Sequence, residues 1–458
     1  MHSQNQCFLF ISIIVIMKKG LLCAVCACLL SFENGMAQTQ RSMTVDQLFS
    51  LIESGSNVLT AQKTGVDVAS RAVEEAKSKR LPDINASLTA SYNGNVLMTD
   101  RDFSNAKGFS QPHFGNSFAL EAQQVVYAGG AINSGIRLAE LQKQRSENAV
   151  QITRNQMRFV ALGQYLELMK LSNGIKVYDS NITLTAKLID DIKSRQKQGM
   201  ALKNDVTRYE LQMESLRLGK RRLEDQKSIA NHQLCNTLGL ADVVIEPDMN
   251  LEAIGDNLDS EQLLQTEAAN LSPVLQQSAI DVKMAEQQLK LSKSELLPKI
   301  AVVAADNFAG PFTYDIPPID KNFNIWYIGV GVKYSLSSLF KANKTIRRAK
   351  EQLRLSNTAH SVAAETVNNS MQQAYTMHKQ SFVELRTQQK SVELAQQNYQ
   401  VVSNRYKNQL ALITDMIDAS NMKLNAELQE VNARINIAYT YYNVRYAAGN
   451  INFFNTNK

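Results

Sequence analysis

Two patterns of apolar residues recur along the chain. In the first, Ile84, Ala86, Leu88, Ala90 and Tyr92 alternate with polar residues, which is the period of two expected of a half-buried strand. Similar alternation predicts strands over about 83–93, 116–127, 299–308 and 324–336. A polar loop separates the strands of the first pair, and a Gly/Pro-rich loop separates those of the second. Taken singly, each strand also fits a water-soluble hairpin with one wet face.

The second pattern has a period of three to four and predicts long helices over about 131–238 and 341–448. In the later segment, apolar residues follow the 4-3-4-3-4 spacing of a left-handed coiled coil, namely Leu424, Leu428, Val431, Ile435, Ala438 and Tyr442. A continuous helix over 131–198 would be about 100 Å long. That length exceeds any globular core and suits a tube that crosses an aqueous compartment.

The two patterns repeat in the same order. At a shift of 210 residues several landmarks coincide: Ile136 with Ile346, Tyr165 with Tyr375, Arg195 with Arg405, Lys197 with Lys407, Asp205 with Asp415, and Gly239 with Gly449. The chain is therefore read as a duplicated helix–strand–strand–long helical hairpin unit. The first copy is predicted over 38–242 and the second over 259–458, with a linker at 243–258.

Composition agrees with long helices. The 458 residues contain only 20 Gly and 8 Pro, too few for a chain of short strands and tight turns. A β-sandwich and a doubly wound α/β enzyme are both disfavoured. The net charge of +6 is small and evenly spread, so nucleic acid is not an expected partner.

The N-terminus has the pattern of a secretory signal. Lys18 and Lys19 precede an apolar run that ends in a small-residue site at Ala37, so 1–37 is predicted to be removed. Met17 is a candidate for the true start, and lipidation at Cys28 is the alternative to simple cleavage. Beyond the leader, no apolar run is long enough to span a bilayer as a helix.

Four ten-residue strands with aromatic residues near their ends, in an exported chain, favour insertion in an outer membrane. Four strands cannot close a barrel, and open edges are not tolerated in lipid. The chain must then oligomerise; two copies would supply eight strands and three would supply twelve.

The signal peptide, the duplicated unit, the Leu-Pro strand entries at Pro82 and Pro298 and the turns between the long helices resemble TolC-type outer-membrane efflux proteins. The resemblance implies a fold that is mainly α with a β-barrel contribution: a homotrimer with a twelve-stranded barrel in lipid and a periplasmic helical tunnel. It implies the exit duct of a tripartite efflux pump or type I secretion system, with a periplasmic adaptor and an RND or ABC transporter as partners. It implies neither enzymatic activity nor a cofactor.

The family's tip turn carries a glycine and, six residues later, an aspartate. The first copy has Gly199 and Asp205, whereas the second has Asp415 but Gln409 in place of the glycine, so its expected helix C-cap is missing. By this resemblance the adaptor-contact candidates are Gly199, Met200, Leu410 and Ala411. An ordinary helix-hairpin turn is the alternative interpretation of these residues.

The resemblance also assigns Asp415 and Asp418 to carboxylate rings at the periplasmic entrance, where they would favour cations. The alternative is that Thr414 and Asp415 cap a helix start, which explains Asp415 but not Asp418. Asp205 and Tyr406 match a pair that helps to hold the entrance closed. A second lock, which uses an arginine where this chain has Ala411, opposite Asn204, is expected to be missing.

Catalytic patterns are lacking in the sequence. His113, His232, His360 and His378 have no metal-ligand spacing, and Gly219-Lys220 does not belong to a phosphate loop. Cys235 is expected to be packed rather than reactive. The alternative to an export duct is a soluble periplasmic coiled-coil adaptor or scaffold.

Overall fold

The computed structural model describes residues 40–241, 243–254, 258–313 and 318–451. The predicted signal peptide, with Cys28, lies outside the described residues.

The first copy of the unit contains four helices and five strands. They are β1 (Gln40–Met43), α1 (Val45–Gly55), α2 (Asn57–Ser78), β2 (Asp83–Tyr92), β3 (Val96–Met98), β4 (Lys107–Phe109), β5 (Phe114–Tyr127), α3 (Ala131–Lys197) and α4 (Lys203–Leu238). The linker contains β6 (Val244–Pro247). The second copy contains α5 (Glu261–Leu271), α6 (Pro273–Ser294), β7 (Lys299–Gly310), β8 (Phe323–Lys333), α7 (Ser338–Lys407) and α8 (Ile413–Ala447), and among the described residues it has no strands that correspond to β3 and β4. The predicted duplicated fold is confirmed.

Local sequence explains several element ends. Helix α1 starts at a capping box, in which Gln47 N–H donates to Thr44 Oγ1 and Thr44 N–H donates to Gln47 Oε1. Proline occupies the first position of α6, at Pro273, where its missing N–H costs nothing. Gly130, with a φ of +84°, provides the left-handed position directly before α3.

Three segments differ from the sequence-based expectation. The linker contains β6, which pairs in parallel with β1. The polar loop after β2 contains the short β3–β4 ladder. The last strand ends at Lys333 rather than 336, because Ser338 N–H and Oγ both bond to the Ser335 carbonyl and begin α7.

The main sheet is antiparallel with strand order β2-β5-β7-β8. Strands β2 and β8 are its edges, and no described strand pairs with their outer sides. Their apolar side chains are exposed, as Leu88 (78%) and Ile328 (71%) illustrate. The sheet therefore presents apolar surface and unpaired backbone together.

The helices form a layer that extends away from the sheet. Near the sheet the neighbours are α2, α3, α6 and α7, and further away they are α4, α3, α8 and α7. Helices α3, of 67 residues, and α7, of 70, run through both parts. None of the described helices combines the length and apolar character that a bilayer span requires.

The largest core surrounds the middle of α3. It includes Leu48 and Phe49 of α1, Tyr165 of α3, Leu238 of α4 and Tyr442 of α8. The Tyr165 hydroxyl donates to the Met43 carbonyl at 2.8 Å, which ties β1 to α3. This core anchors both helical hairpins far from their tips.

The helical tip as candidate functional site

The two turns at the tip have the same backbone geometry. Gly199 has a φ of +75° and Gln409 a φ of +62°, both in the left-handed region. Met200 N–H donates to the Arg195 carbonyl at 2.9 Å, and Leu410 N–H donates to the Arg405 carbonyl at 2.8 Å. These bonds form the C-terminal helix cap in both copies, so the second turn has the expected geometry without its glycine.

An aspartate caps the helix that follows each turn. Asp205 Oδ2 accepts from Leu202 N–H at 3.1 Å, and Asp415 Oδ2 accepts from Leu412 N–H at 3.0 Å. Each carboxylate lies at the N-terminus of its helix, where the helix dipole favours negative charge. Capping is thus one role of Asp415.

Asp418 lies one helical turn beyond Asp415. Both side chains are exposed, and their spacing of three residues puts them on one face of α8. Within the described part of the chain neither carboxylate forms an ion pair. The two charges therefore remain available to a mobile ion or to another molecule.

Tyr406 is half-buried near the end of α7. Burial raises the pKa of Tyr406, the charge of Asp205 raises it further, and Arg195 opposes that effect. The charge of Asp205 thus acts on the Tyr406 hydroxyl, although no hydrogen bond joins the two side chains within the described residues. The closing pair remains a prediction.

Arg195 has a structural role that the sequence analysis missed. Its Nη1 donates to the Lys407 carbonyl at 2.8 Å, and its Nε donates to Asp191 Oδ2 at 3.1 Å. The guanidinium thereby links the first hairpin to the C-terminus of α7, where backbone carbonyls lack helical partners. The sequence feature that could have indicated this role is the match of Arg195 with Arg405 in the repeat.

An apolar cluster supports both turns. It contains residues of both hairpins: Ile189, Ile192, Val206, Tyr209, Met213, Ile413 and Met416. Tyr399 and Tyr406 pack against its edge. The position of each turn therefore depends on packing between the hairpins.

Comparison with known protein families gives one match. Residues 264–450 match the family model for outer membrane efflux protein. The match lies within the second copy of the unit and covers less than half of the chain. The match supports a place in the outer membrane. No curated protein sequence matches the chain significantly.

Solved structures share the fold of this chain over most of its length. The outer membrane protein VceC from Vibrio cholerae is 14% identical with a TM-score of 0.73, covering 89% of this chain and 96% of VceC. CusC is 12% identical with a TM-score of 0.77, covering 89% of this chain and 92% of CusC. The Campylobacter jejuni CmeC outer membrane channel is 13% identical with a TM-score of 0.70, covering 90% and 87%.

The adaptor-contact candidates predicted from the sequence lie at the extreme end of the helical layer. Met200 (48%) and Leu410 (67%) are exposed, and Gly199 is also exposed, whereas Ala411 is half-buried. Leu202 and Leu412, both 70% exposed, extend this apolar surface. The sequence analysis missed them, although an apolar residue before each helix start was visible.

Across the described residues, no group of three or more His, Cys, Asp or Glu side chains could hold a metal ion. Cys235 is buried and its thiol donates to the Val243 carbonyl at 3.3 Å. The chemistry available at the tip is charge and apolar surface.

Proposed function

We propose that the protein is a homotrimeric exit duct of a tripartite efflux pump or a type I secretion system. It would pass substrates from an inner-membrane transporter of RND or ABC type, through a periplasmic adaptor, to the exterior. The observation that carries this proposal is a four-stranded sheet with two open edges at one end of a helical layer about 100 Å long.

The open edges support assembly into a ring. Unpaired strand edges are not stable in lipid, so β8 of one copy must pair with β2 of another. Three copies supply twelve strands, a number that leaves room for a lumen. The exposed apolar side chains of β2 and β8 suit contact with lipid.

The helical layer supports a tunnel. Each copy contributes two hairpins, α3–α4 and α7–α8, whose tips lie side by side. Three copies would place six tips around one opening, with Asp415 and Asp418 as two carboxylate rings that favour cations. The exposed Met200 and Leu410 would then face the adaptor.

Fractionation and single-channel recording test the proposal. The protein should be extracted from outer membranes by detergent as a trimer, measured by light scattering, and should form channels in planar bilayers. A soluble periplasmic monomer would contradict the duct and favour the adaptor alternative.

A further inference from the structure

The two hairpins of one copy are joined by a contact whose geometry can be compared with that between neighbouring copies. Helix α3 of the first hairpin packs against α8 of the second. Leu428 of α8 lies beside Gly174 of α3, with its Cδ2 3.8 Å from the place a Cβ would occupy there. At the tip, Arg195 of α3 crosses to the Lys407 carbonyl at 2.8 Å.

The duplication gives each member of this contact an equivalent on α4 or α7 or at the end of α3. Near the tip, α4 and α7 are the two outer helices of the layer. At the shift of 210, α3 corresponds to α7 and α8 corresponds to α4. Arg195 corresponds to Arg405, Lys407 to Lys197, and Leu428 to Leu218. Arg405 is exposed, and its side chain makes no hydrogen bond or ion pair within the described residues.

The two outer helices also carry matching apolar surface. On α4 the exposed residues are Leu211 (67%), Leu218 (53%) and Ile229 (60%). On α7 they are Val383 (55%), Leu394 (53%) and Val401 (57%).

Both triplets are spaced by 7 and 11 residues, in opposite order along the chain. Those spacings keep each triplet on one helix face, over about 27 Å. Since α4 runs away from the tip and α7 runs toward it, the two helices can pack antiparallel. In the register of the contact within one copy, where Leu428 lies beside Gly174, Leu218 would lie level with Val383.

We propose that α7 of one copy packs on α4 of the next, and that Arg405 donates to the carbonyl of Lys197 of the partner subunit. The inference rests on the proposed trimer and names residues that join neighbouring copies at the tip. The last carbonyls of α3 lack helical partners and carry the negative end of its dipole, so a guanidinium is a suitable donor. Each trimer would then hold six equivalent arginine contacts, three within copies and three between them.

Cross-linking in intact outer membranes tests the contact. The variant Arg405→Cys with Lys197→Cys, treated with a short bis-maleimide, should give covalent dimers and trimers on denaturing gels. The matched control Arg195→Cys with Lys407→Cys should lose its free thiols and still migrate as a monomer, because that contact lies within one copy. Single-cysteine variants account for Cys235, which is buried.

A second measurement needs no new cysteine. Arg405→Gln should accelerate hydrogen exchange in the turn after Lys197, by a factor comparable to that of Arg195→Gln in the turn after Lys407. If the native protein is a trimer but the first pair does not cross-link and Arg405→Gln leaves exchange unchanged, the inference is wrong and the duct proposal stands. A monomer in detergent would overturn both.

Discussion

Gln409 holds the left-handed backbone conformation that Gly199 holds in the equivalent turn of the first hairpin. For a residue with a Cβ, this conformation costs about 1–3 kcal/mol of conformational free energy. The surrounding cap bonds, from Gln409 N–H to the Tyr406 carbonyl and from Leu410 N–H to the Arg405 carbonyl, hold the backbone there. The second turn thus has the same backbone geometry as the first, but its left-handed residue is a strained glutamine rather than a glycine.

Gln409→Gly should relieve this strain. After allowance for the greater freedom of glycine in the unfolded chain, we expect a local stabilisation of about 0.5–1 kcal/mol. Hydrogen exchange at the amides of Asn408 and Leu410 should slow by a few-fold. The converse variant, Gly199→Gln, should accelerate exchange in the first turn; faster exchange in Gln409→Gly would contradict the assignment of strain.

The tyrosines at the tip predict a loss of stability at alkaline pH. Burial raises the pKa values of Tyr209, Tyr399 and Tyr406 above those of the unfolded chain. Below pH 10, which is about the pKa of tyrosine in the unfolded chain, this effect contributes fully to the stability of the folded tip. As the pH rises further, the unfolded chain loses its phenolic protons before the folded tip does, and the contribution is lost. Tyrosinate absorbance and hydrogen exchange at the tip should therefore change together above that pH, and not near neutrality.

Tyr209→Phe should stabilise the tip. The Tyr209 side chain is 1% exposed, and its hydroxyl has no hydrogen-bond partner among the described residues. Removing an unsatisfied buried hydroxyl should contribute about 1 kcal/mol, measured by hydrogen exchange in α4. Tyr165→Phe is the matched control, because its hydroxyl donates to Met43 and its loss should destabilise the core. Destabilisation by Tyr209→Phe would reveal a partner for the hydroxyl.

Asp415→Asn with Asp418→Asn should weaken block of single-channel current by divalent or trivalent cations. Asparagine keeps an acceptor for Leu412 N–H, so the helix cap survives while the charge is removed. The single variants separate the two positions. Unchanged block in planar bilayers would refute the carboxylate rings.

Tyr406→Phe should raise channel conductance if Tyr406 helps Asp205 to hold the entrance closed. No direct hydrogen bond joins the two groups within the described residues, so the effect should be smaller than that of Arg195→Gln, which removes an observed contact between hairpins. Equal conductance in wild type and Tyr406→Phe would count against the closing pair.

The sequence by itself determined the duplicated unit, the strand periods and the long helices. These features depend on local spacing, since side chains alternate along strands and recur every three to four residues along helices. Proline and glycine mark several of the ends, as Pro273 and Gly199 do. The resemblance to efflux proteins added the interpretation of the tip residues.

Only the tertiary structure decided how the helices, strands and turns pack against one another. It paired β1 with β6 across the linker, placed Arg195 on the Lys407 carbonyl, and held Gln409 in a conformation that its residue type disfavours. The first two depend on contacts between residues distant in the chain. The conformation of Gln409 combines local cap bonds with the packing of both hairpins beneath the turn, which together outweigh its local preference. No local pattern around Gln409 or Arg195 contains those contacts, because their partners come from the packing of the two hairpins.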